Sequence, residues 1–492
     1  MDFLLNQHEA AQSLGEINPN TTVLQWLREN NLVGSKEGCA AGDCGACTAV
    51  VGEVVEFEGK QTLEYKSINT CIALACSLSG KHLVTVEGLS ENGQLHPVQQ
   101  AMVAEHGSQC GFCTPGFVMS LFALYHNEAN INLGKINNGL SGNLCRCTGY
   151  KSIISAAFLA FSDKESHEQD YYSRNKQETL ETLIAMSSLD NLHCSFKDHD
   201  ASFHYDSPAD IDQLSDILSQ NANAIIIAGG SDLSLEITQN SKQLPHIVNV
   251  QRVRQLQIID DREFELELGA ALSYHSAWES LMKYWPTLES FLHRFGSMPI
   301  RNWATIGGNI ANASPIGDMP PVLIALEATL KLRKGTKVRI VKLEDYFVSY
   351  KQTLLEKGEF IQSVIIPKLS SGEQLVLHKI SKRFEDDISA VCMAIKVRMD
   401  AGHATRVRVA FGGMAATPKR AIHLEKTLLQ NWDETNLKEL AYIALKNDFS
   451  PLSDVRASAK YRIQVSANLV QKTMLNLTGE FVPNLSEEGL II

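Results

Sequence analysis

Long apolar runs are missing from this sequence. Its most apolar stretches, such as SIISAAFLAF at 152–161, stop well short of the ~18–20 residues needed to span a bilayer. Concentrated positive charge is missing too: 44 Lys and Arg stand against 56 Asp and Glu, for a net charge of −12, with no Lys/Arg tract. That balance argues against nucleic acid and anionic membranes as partners, because both demand dense positive charge. The N-terminus, MDFLLNQHEAAQSLGE, lacks a basic n-region and acquires acids at once, so it does not read as a signal peptide. A cytoplasmic location is expected. Proline is sparse, at 14 in 492 residues. Two nucleotide signatures are also absent. With neither G-x-G-x-x-G nor G-x-x-x-x-G-K-[ST], the chain has no Rossmann fingerprint and no P-loop.

The composition that remains, 44% hydrophobic and 20% charged, is that of an ordinary globular protein. The length exceeds what one hydrophobic core can organise, so about three or four domains are expected. Cysteine is unevenly placed: nine of the eleven lie before residue 148, and only Cys194 and Cys392 lie beyond. In a reducing cytoplasm, clustered cysteines bind metal or do chemistry more often than they form disulfides.

The first group, Cys39, Cys44 and Cys47 with Cys71 further on, reproduces the C-x4-C-x2-C…C spacing of plant-type [2Fe–2S] proteins. Gly38, Gly42 and Gly45, with Ala40, Ala41 and Ala46, suit a loop that wraps tightly and turns backbone N–H groups toward cluster sulfides. Zinc is the alternative, but its knuckles seldom combine an x4 gap with an x2 gap. Cys76 sits on an apolar run and reads as a core thiol. Around the loop, TTVLQWLRENN reads as an amphipathic helix capped by Thr21 or Thr22. The Val/Thr-rich stretches ACTAVVGEVVEFEG and KHLVTVEGL read as strands. These parts suggest a β-grasp ferredoxin domain over 1–88.

The second group pairs Cys110 and Cys113 with Cys145 and Cys147. Each pair precedes an apolar helical segment, and helix N-termini partly offset the charge of a tetrathiolate cluster. Cys-x-Cys is too tight for typical zinc knuckles, although zinc stays open for this group taken alone.

Taken in order, GCAAGDCGACT, LHPVQ, GSQCGFCTPG and GNLCRCTGY resemble the two-cluster N-terminal module of the xanthine dehydrogenase, or molybdenum hydroxylase, family. The resemblance covers 1–160. It implies that residues 89–163 form a four-helix-bundle [2Fe–2S] domain whose cluster lies nearest the molybdenum cofactor, with Gln109 facing the pterin.

The charged stretch 164–200 reads as a linker. After it, the apolar Ile225–Ile227 runs into Gly229-Gly230-Ser231-Asp232, and Thr305-Ile306-Gly307-Gly308-Asn309 forms a second glycine turn. Glycines after a strand let backbone amides approach phosphate, though either turn alone is a weak signal. The pairing resembles the same family's non-Rossmann, α+β FAD domain, expected here over 201–370. The resemblance implies pyrophosphate contacts from Ile226, Ile227, Ala228, Gly229, Gly230, Ser231, Asp232 and Leu233 and from Thr305 to Asn309. It further implies an acidic contact from Asp318, apolar contacts from Phe295 and Ile361, and a charged loop beside the flavin ring after Lys379, with Asp386 tuning access by NAD. Residues 371–492 resemble the flavoprotein C-terminal domain, read as alternating strands and helices in an α/β arrangement, with Cys392 as inert core.

Within this α+β multidomain reading, two [2Fe–2S] clusters and FAD form an electron conduit. The chain shows no segment for molybdopterin, so the resemblance implies a separate large subunit carrying the molybdenum cofactor. The expected assembly is a heterotetramer that oxidises hypoxanthine or xanthine and delivers electrons to NAD. The same conduit could serve an aldehyde or N-heterocycle hydroxylase; a zinc-stabilised scaffold is the non-enzymatic alternative.

Overall fold

Thr22 fixes where the first helix starts. Its hydroxyl accepts from Gln25 N while the Gln25 side chain accepts from Thr22 N, a reciprocal cap that satisfies two orphan donors. In this computed structural model the described residues are all but 8, 9, 58, 163, 165–169, 188, 189, 433 and 481–492. They divide into two compact units, Met1–Arg254 with Ser297–Ala304, and Gln255–Gly296 with Thr305–Ile492.

The first unit opens with a five-stranded sheet in the order Gln12–Ser13, Asp2–Leu5, His82–Val84, Thr48–Phe57, Lys60–Asn69. Asp2–Leu5 and His82–Val84 run parallel, and the other pairs are antiparallel. Both faces are covered. Ala49 and Val51 join Phe3, Val23, Trp26 and Leu27 on one side, while Val50, Leu63 and Tyr65 meet Phe117, Leu121 and Phe122 on the other. Alternation along the strand explains why the apolar run Ala49–Val51 shows no polar gap. This is the expected β-grasp arrangement.

Four helices follow, Pro97–Ala104, Thr114–Asn127, Leu133–Gly139 and Lys151–Ser162. Residues 116–125 of the second are all buried, which makes it the central helix of the bundle. The stretch read as a linker carries more structure than the sequence suggests. A helix, Lys176–Met186, returns Leu180 and Leu183 to the bundle's core, and Leu192–Asp198 forms an edge strand. Its alternation, half-buried Leu192, Cys194 and Phe196 between exposed His193, Ser195 and Lys197, is a strand signal that the linker reading passed over.

Its sheet runs in the order Leu192–Asp198, Ala201–Ser207, His246–Asn249, Ile225–Ile227, with the last three strands parallel. The Gly229 loop therefore leaves the C-terminal end of a parallel strand, where open α/β sheets bind ligands.

The second unit holds a five-stranded antiparallel sheet in the order Ile259–Asp261, Glu265–Gly269, Phe360–Pro367, Thr329–Lys334, Lys337–Lys342. Beyond it, a four-stranded antiparallel sheet, Glu373–Ile380, Val391–Asp400, His403–Gly412 and Lys419–Arg420, precedes three helices, Ile422–Asn431, Leu437–Asp448 and Ala459–Leu477. Strands and helices are thus grouped along the chain rather than alternating. Val391, Met393, Phe411, Leu424, Leu445 and Ala467 share one core there.

Candidate functional site

The first four cysteines converge. Cys47 and Cys71 are buried, and Cys39 and Cys44 are half-buried. Cys39 Sγ accepts from the N–H groups of Ala41 at 3.3 Å, Asp43 at 3.3 Å and Cys44 at 3.4 Å. Asp43 and Glu37 are exposed, as expected of residues on the outside of the loop. Hydrogen bonding from Cys44, then Cys71, pulls the Cys39 thiol below the ordinary thiol range, and bonding to Cys71 does the same for Cys47. The donors Cys44 and Cys71 are pushed up in turn. Four thiols within hydrogen-bonding reach, ringed by inward N–H groups, are a fitting donor set for an iron–sulfur cluster.

The second group lies at the surface. Cys113 occupies the N-cap of Thr114–Asn127, and Cys110 and Cys147 are exposed. Cys145 Sγ accepts from Cys147 N and Thr148 N, both at 3.4 Å, and from Thr148 Oγ1 at 3.2 Å. Burial alone would raise the Cys145 thiol, but donation from Thr148 and from the Cys147 amide brings it down to about 7. Burial, followed by bonding to Cys145, pushes Cys113 up to about 12, and bonding to Cys110 raises Cys147. Again the set is purely thiol.

Direct hydrogen bonds join the two loops. Leu144 N, next to Cys145, donates to Cys44 O at 3.0 Å. Asn143 Nδ2 donates to Gly45 O at 3.2 Å and to Thr48 Oγ1 at 3.3 Å, while Ser120 Oγ holds its other end at 2.6 Å. Gly45, at φ +68°, has no room for a side chain, since a Cβ there would sit 2.4 Å from Gly142 O. Asn143 and Leu144 were invisible from sequence because their partners lie about a hundred residues away.

The first glycine loop has the features of a phosphate cradle. Among the described residues, the N–H groups of Gly229 to Leu233 donate to no protein acceptor. Gly229 is packed so tightly that a Cβ would meet Trp303 O at 1.7 Å, and Gly230 turns at φ +69°. At the base of the loop Ser234 Oγ is fully buried and unpartnered. An orphaned hydroxyl beside five free amides fits a bound phosphate. Ser231 also borders a cavity of about 10 Å³ with Asn69 and Ile72, the segment that carries Cys71.

The second glycine turn differs. Thr305 caps the short helix Ile306–Ala311, and the next four amides are already used: Ile306 N bonds Leu272 O, Gly307 N bonds Ala270 O, Gly308 N bonds Thr305 Oγ1 and Asn309 N bonds Thr305 O. Unlike those of the first loop, these four amides are engaged within the chain. What they do is fix the helix against the Gly269–Leu272 turn. Nearby, Phe295 packs edge-on against Tyr274 at 4.7 Å, and Tyr274 donates to Asn309 Oδ1. Ile361 is buried in Phe360–Pro367.

Asp318 and Lys379, both buried, pair with each other at 2.6 Å, and Ser389 also donates to Asp318. A carboxylate buried this deeply is retained by paired charge. Arg294 fixes the following loop by donating to Lys379 O, Ser381 Oγ and Phe384 O, with its guanidinium 5.1 Å from the Phe384 ring. Asp386 stands in that loop at φ +48°. Cys392 and Cys76 are buried, as expected of core thiols.

One cluster went unnoticed in the sequence. His96, His126 and Asp170 converge, with both His Nε2 atoms 3.5 Å from Asp170 Oδ2. Yet His96 Nδ1 accepts from Val98 N, which leaves the proton on Nε2, and a metal ligand would need the reverse tautomer. Burial holds His126 neutral, its pKa down to about 3. The cluster ties the segment at Asp170 to the bundle.

Comparison with known proteins sorts these parts. Family models match the "2Fe-2S iron-sulfur cluster binding domain" at 12–78, the "[2Fe-2S] binding domain" at 85–158, the "FAD binding domain in molybdopterin dehydrogenase" at 201–369 and the "CO dehydrogenase flavoprotein C-terminal domain" at 377–477. These are the iron–sulfur and flavin domains of the molybdenum hydroxylases. Among molybdenum hydroxylases, the chain is 31% identical to xanthine dehydrogenase of Emericella nidulans over 89% of its own length and 36% of that protein. It is also 31% identical to mouse xanthine dehydrogenase/oxidase, over 86% and 35%. The chain thus spans a little over a third of the curated relatives it matches. Carbon monoxide dehydrogenase from Oligotropha carboxidovorans aligns at TM-score 0.51 and 25% identity, over 55% of this chain and 96% of that one. Quinoline 2-oxidoreductase from Pseudomonas putida shares the fold at TM-score 0.51 and 24% identity, over 56% and 96%. Among the described residues no helix is long and apolar enough to cross a membrane.

Proposed function

We propose that this chain is the electron-transfer component of a cytoplasmic xanthine dehydrogenase. In this reading it receives electrons from a molybdenum-bearing partner subunit that oxidises hypoxanthine or xanthine, and delivers them to NAD. The observation that carries the reading is the contiguity of the first unit. The surface group Cys110, Cys113, Cys145 and Cys147 touches the buried group through Leu144 N and Cys44 O, and the segment of Cys71 borders Ser231 of the free-amide loop. When bound, the clusters carry single electrons and the flavin collects them in pairs.

The residues divide the work. The eight cysteines hold the clusters, the N–H groups of residues 41, 43, 44, 147 and 148 offset charge on the ligand sulfurs, and Gly229–Leu233 with Ser234 holds the flavin pyrophosphate. In the second unit Phe295, Thr305–Asn309, Asp318, Ile361, Lys379 and Asp386 remain the proposed flavin-side residues. Asp318 and Lys379 act there as a pair. Exposed Phe112, Leu144 and Tyr150 surround the second cysteine group and would meet the molybdenum subunit, with Gln109 toward the pterin.

Co-purification with that subunit tests the proposal. The complex should reduce NAD with hypoxanthine or xanthine. The chain alone should oxidise NADH with an artificial acceptor and hydroxylate no purine. A second reading is the same role toward another N-heterocycle or an aldehyde. A complex active on those substrates and inert to purines would establish it.

A further inference from the structure

The helix Ser234–Thr238 starts directly after the Gly229–Leu233 loop, and its far end rests on the first cysteine loop. Thr238 Oγ1 donates to Ala40 O at 2.8 Å. Gln239 Nε2 donates to the same oxygen at 2.8 Å and to Cys39 O at 3.2 Å. Ala40 O belongs to the peptide whose N–H, carried by Ala41, donates to Cys39 Sγ at 3.3 Å. Peptides are planar, so fixing the carbonyl from outside fixes the direction of the N–H inside. The hold is needed because Ala40 sits at φ +51°, in the left-handed region that a residue with a Cβ adopts at a cost.

We propose that Thr238 and Gln239 are positioning residues that set the reduction potential of the cluster at Cys39, Cys44, Cys47 and Cys71 by aiming the Ala41 N–H at the Cys39 sulfur. The inference rests on this group holding a [2Fe–2S] cluster. Hydrogen bonds to ligand sulfur stabilise the extra negative charge of the reduced cluster and so raise its potential. Because the two residues also continue the helix that begins at the free-amide loop, one short segment couples the shape of the flavin cradle to the electron affinity of the neighbouring cluster.

The test is a redox titration of the full chain, followed cluster by cluster with electron paramagnetic resonance, for wild type, Thr238→Val, Gln239→Ala, the double variant and Thr238→Ser. In the double variant the reduced-to-oxidised ratio of the first cluster, read at the wild-type midpoint, should fall by about threefold or more, the worth of a typical hydrogen bond. Its g-values should shift, while the second cluster keeps its midpoint. Each single variant should move part of the way, and Thr238→Ser should retain the wild-type value. Gln239 is exposed, so Gln239→Ala leaves the fold intact and can be read by itself. Unmoved midpoints and g-values in both single variants, or equal shifts in both clusters, would overturn the proposal. A wild-type chain without iron would instead contradict the cluster assignment beneath it.

Discussion

The two cysteine groups use the same four-thiol chemistry in opposite surroundings. Cys47 and Cys71 are 1% and 3% exposed, behind a loop pinned by Asn143 on one side and by Thr238 and Gln239 on the other. Cys110 and Cys147 are open to solvent, and 46% of Phe112 and 49% of Leu144 are exposed beside them. Cluster chemistry accounts for neither difference; position does. In the proposed reading, a relay that hands electrons to a flavin gains from exclusion of water, whereas a site that accepts them from another protein must reach the surface.

Removing one ligand from each group tests this contrast most harshly. Cys44→Ser should abolish the first cluster's signal and leave the second, and Cys110→Ser should do the reverse, since the contact between the loops runs through the Cys44 carbonyl, which the substitution keeps. Iron content and resonance spectra read both. Loss of both clusters from either variant would mean that the groups are one cooperative site.

Acid should separate the groups next. His82 lies in a strand of the first group's sheet with its pKa lowered to about 4, and His126 in the second group's bundle with its pKa lowered to about 3, burial being the main cause in each. An unfolded imidazole takes up a proton below about 6.5, but these folded ones resist until pH 4 or 3. Their contribution to stability is therefore complete above pH 6.5 and falls as the pH drops toward the folded values. By pH 5 each costs about 2 kcal/mol. Acidification from pH 7 to 5 should release the exposed second cluster first, and the pH at which each signal disappears measures the order.

Ser234→Ala probes the flavin beside the buried group. Removing an unpartnered buried hydroxyl should leave the flavin-free chain as stable or slightly more so, yet weaken FAD binding by about tenfold. Thermal unfolding without FAD and a flavin titration report the two signs. Thr22→Ala has the smallest expected effect: loss of the reciprocal cap should cost about 1 kcal/mol in the first group's domain without changing the second cluster's spectrum.

Local chemistry was legible in the sequence. Cys39-x4-Cys44-x2-Cys47 sits within one loop, Thr22 lies just before an apolar period, and the run 116–125, apolar but for Ser120 and the Tyr125 hydroxyl, marks a central helix, so each announces its structure from neighbours along the chain. The missing parts were long-range. Nothing beside Thr238 points to Ala40, and nothing beside Asn143 points to Gly45. The Leu192–Asp198 strand is the exception, since its period-2 alternation was present in the sequence but brief and set within a charged segment. The two glycine turns read alike in sequence, yet only the first leaves its amides free. A turn's sequence specifies its backbone shape, whereas the use of its N–H groups depends on which carbonyls lie opposite.

The eight cysteines are proposed to form two separate iron–sulfur sites, one buried and one at the surface. Metal and sulfide analysis of the anaerobically purified chain, with resonance spectra of the reduced protein, tests this most directly. About four iron and four sulfide per chain are expected, in two distinguishable [2Fe–2S] signals, of which a solvent-borne relaxing agent broadens only the one lost in Cys110→Ser. Stoichiometric zinc without iron, or two signals equally open to the agent, would contradict it.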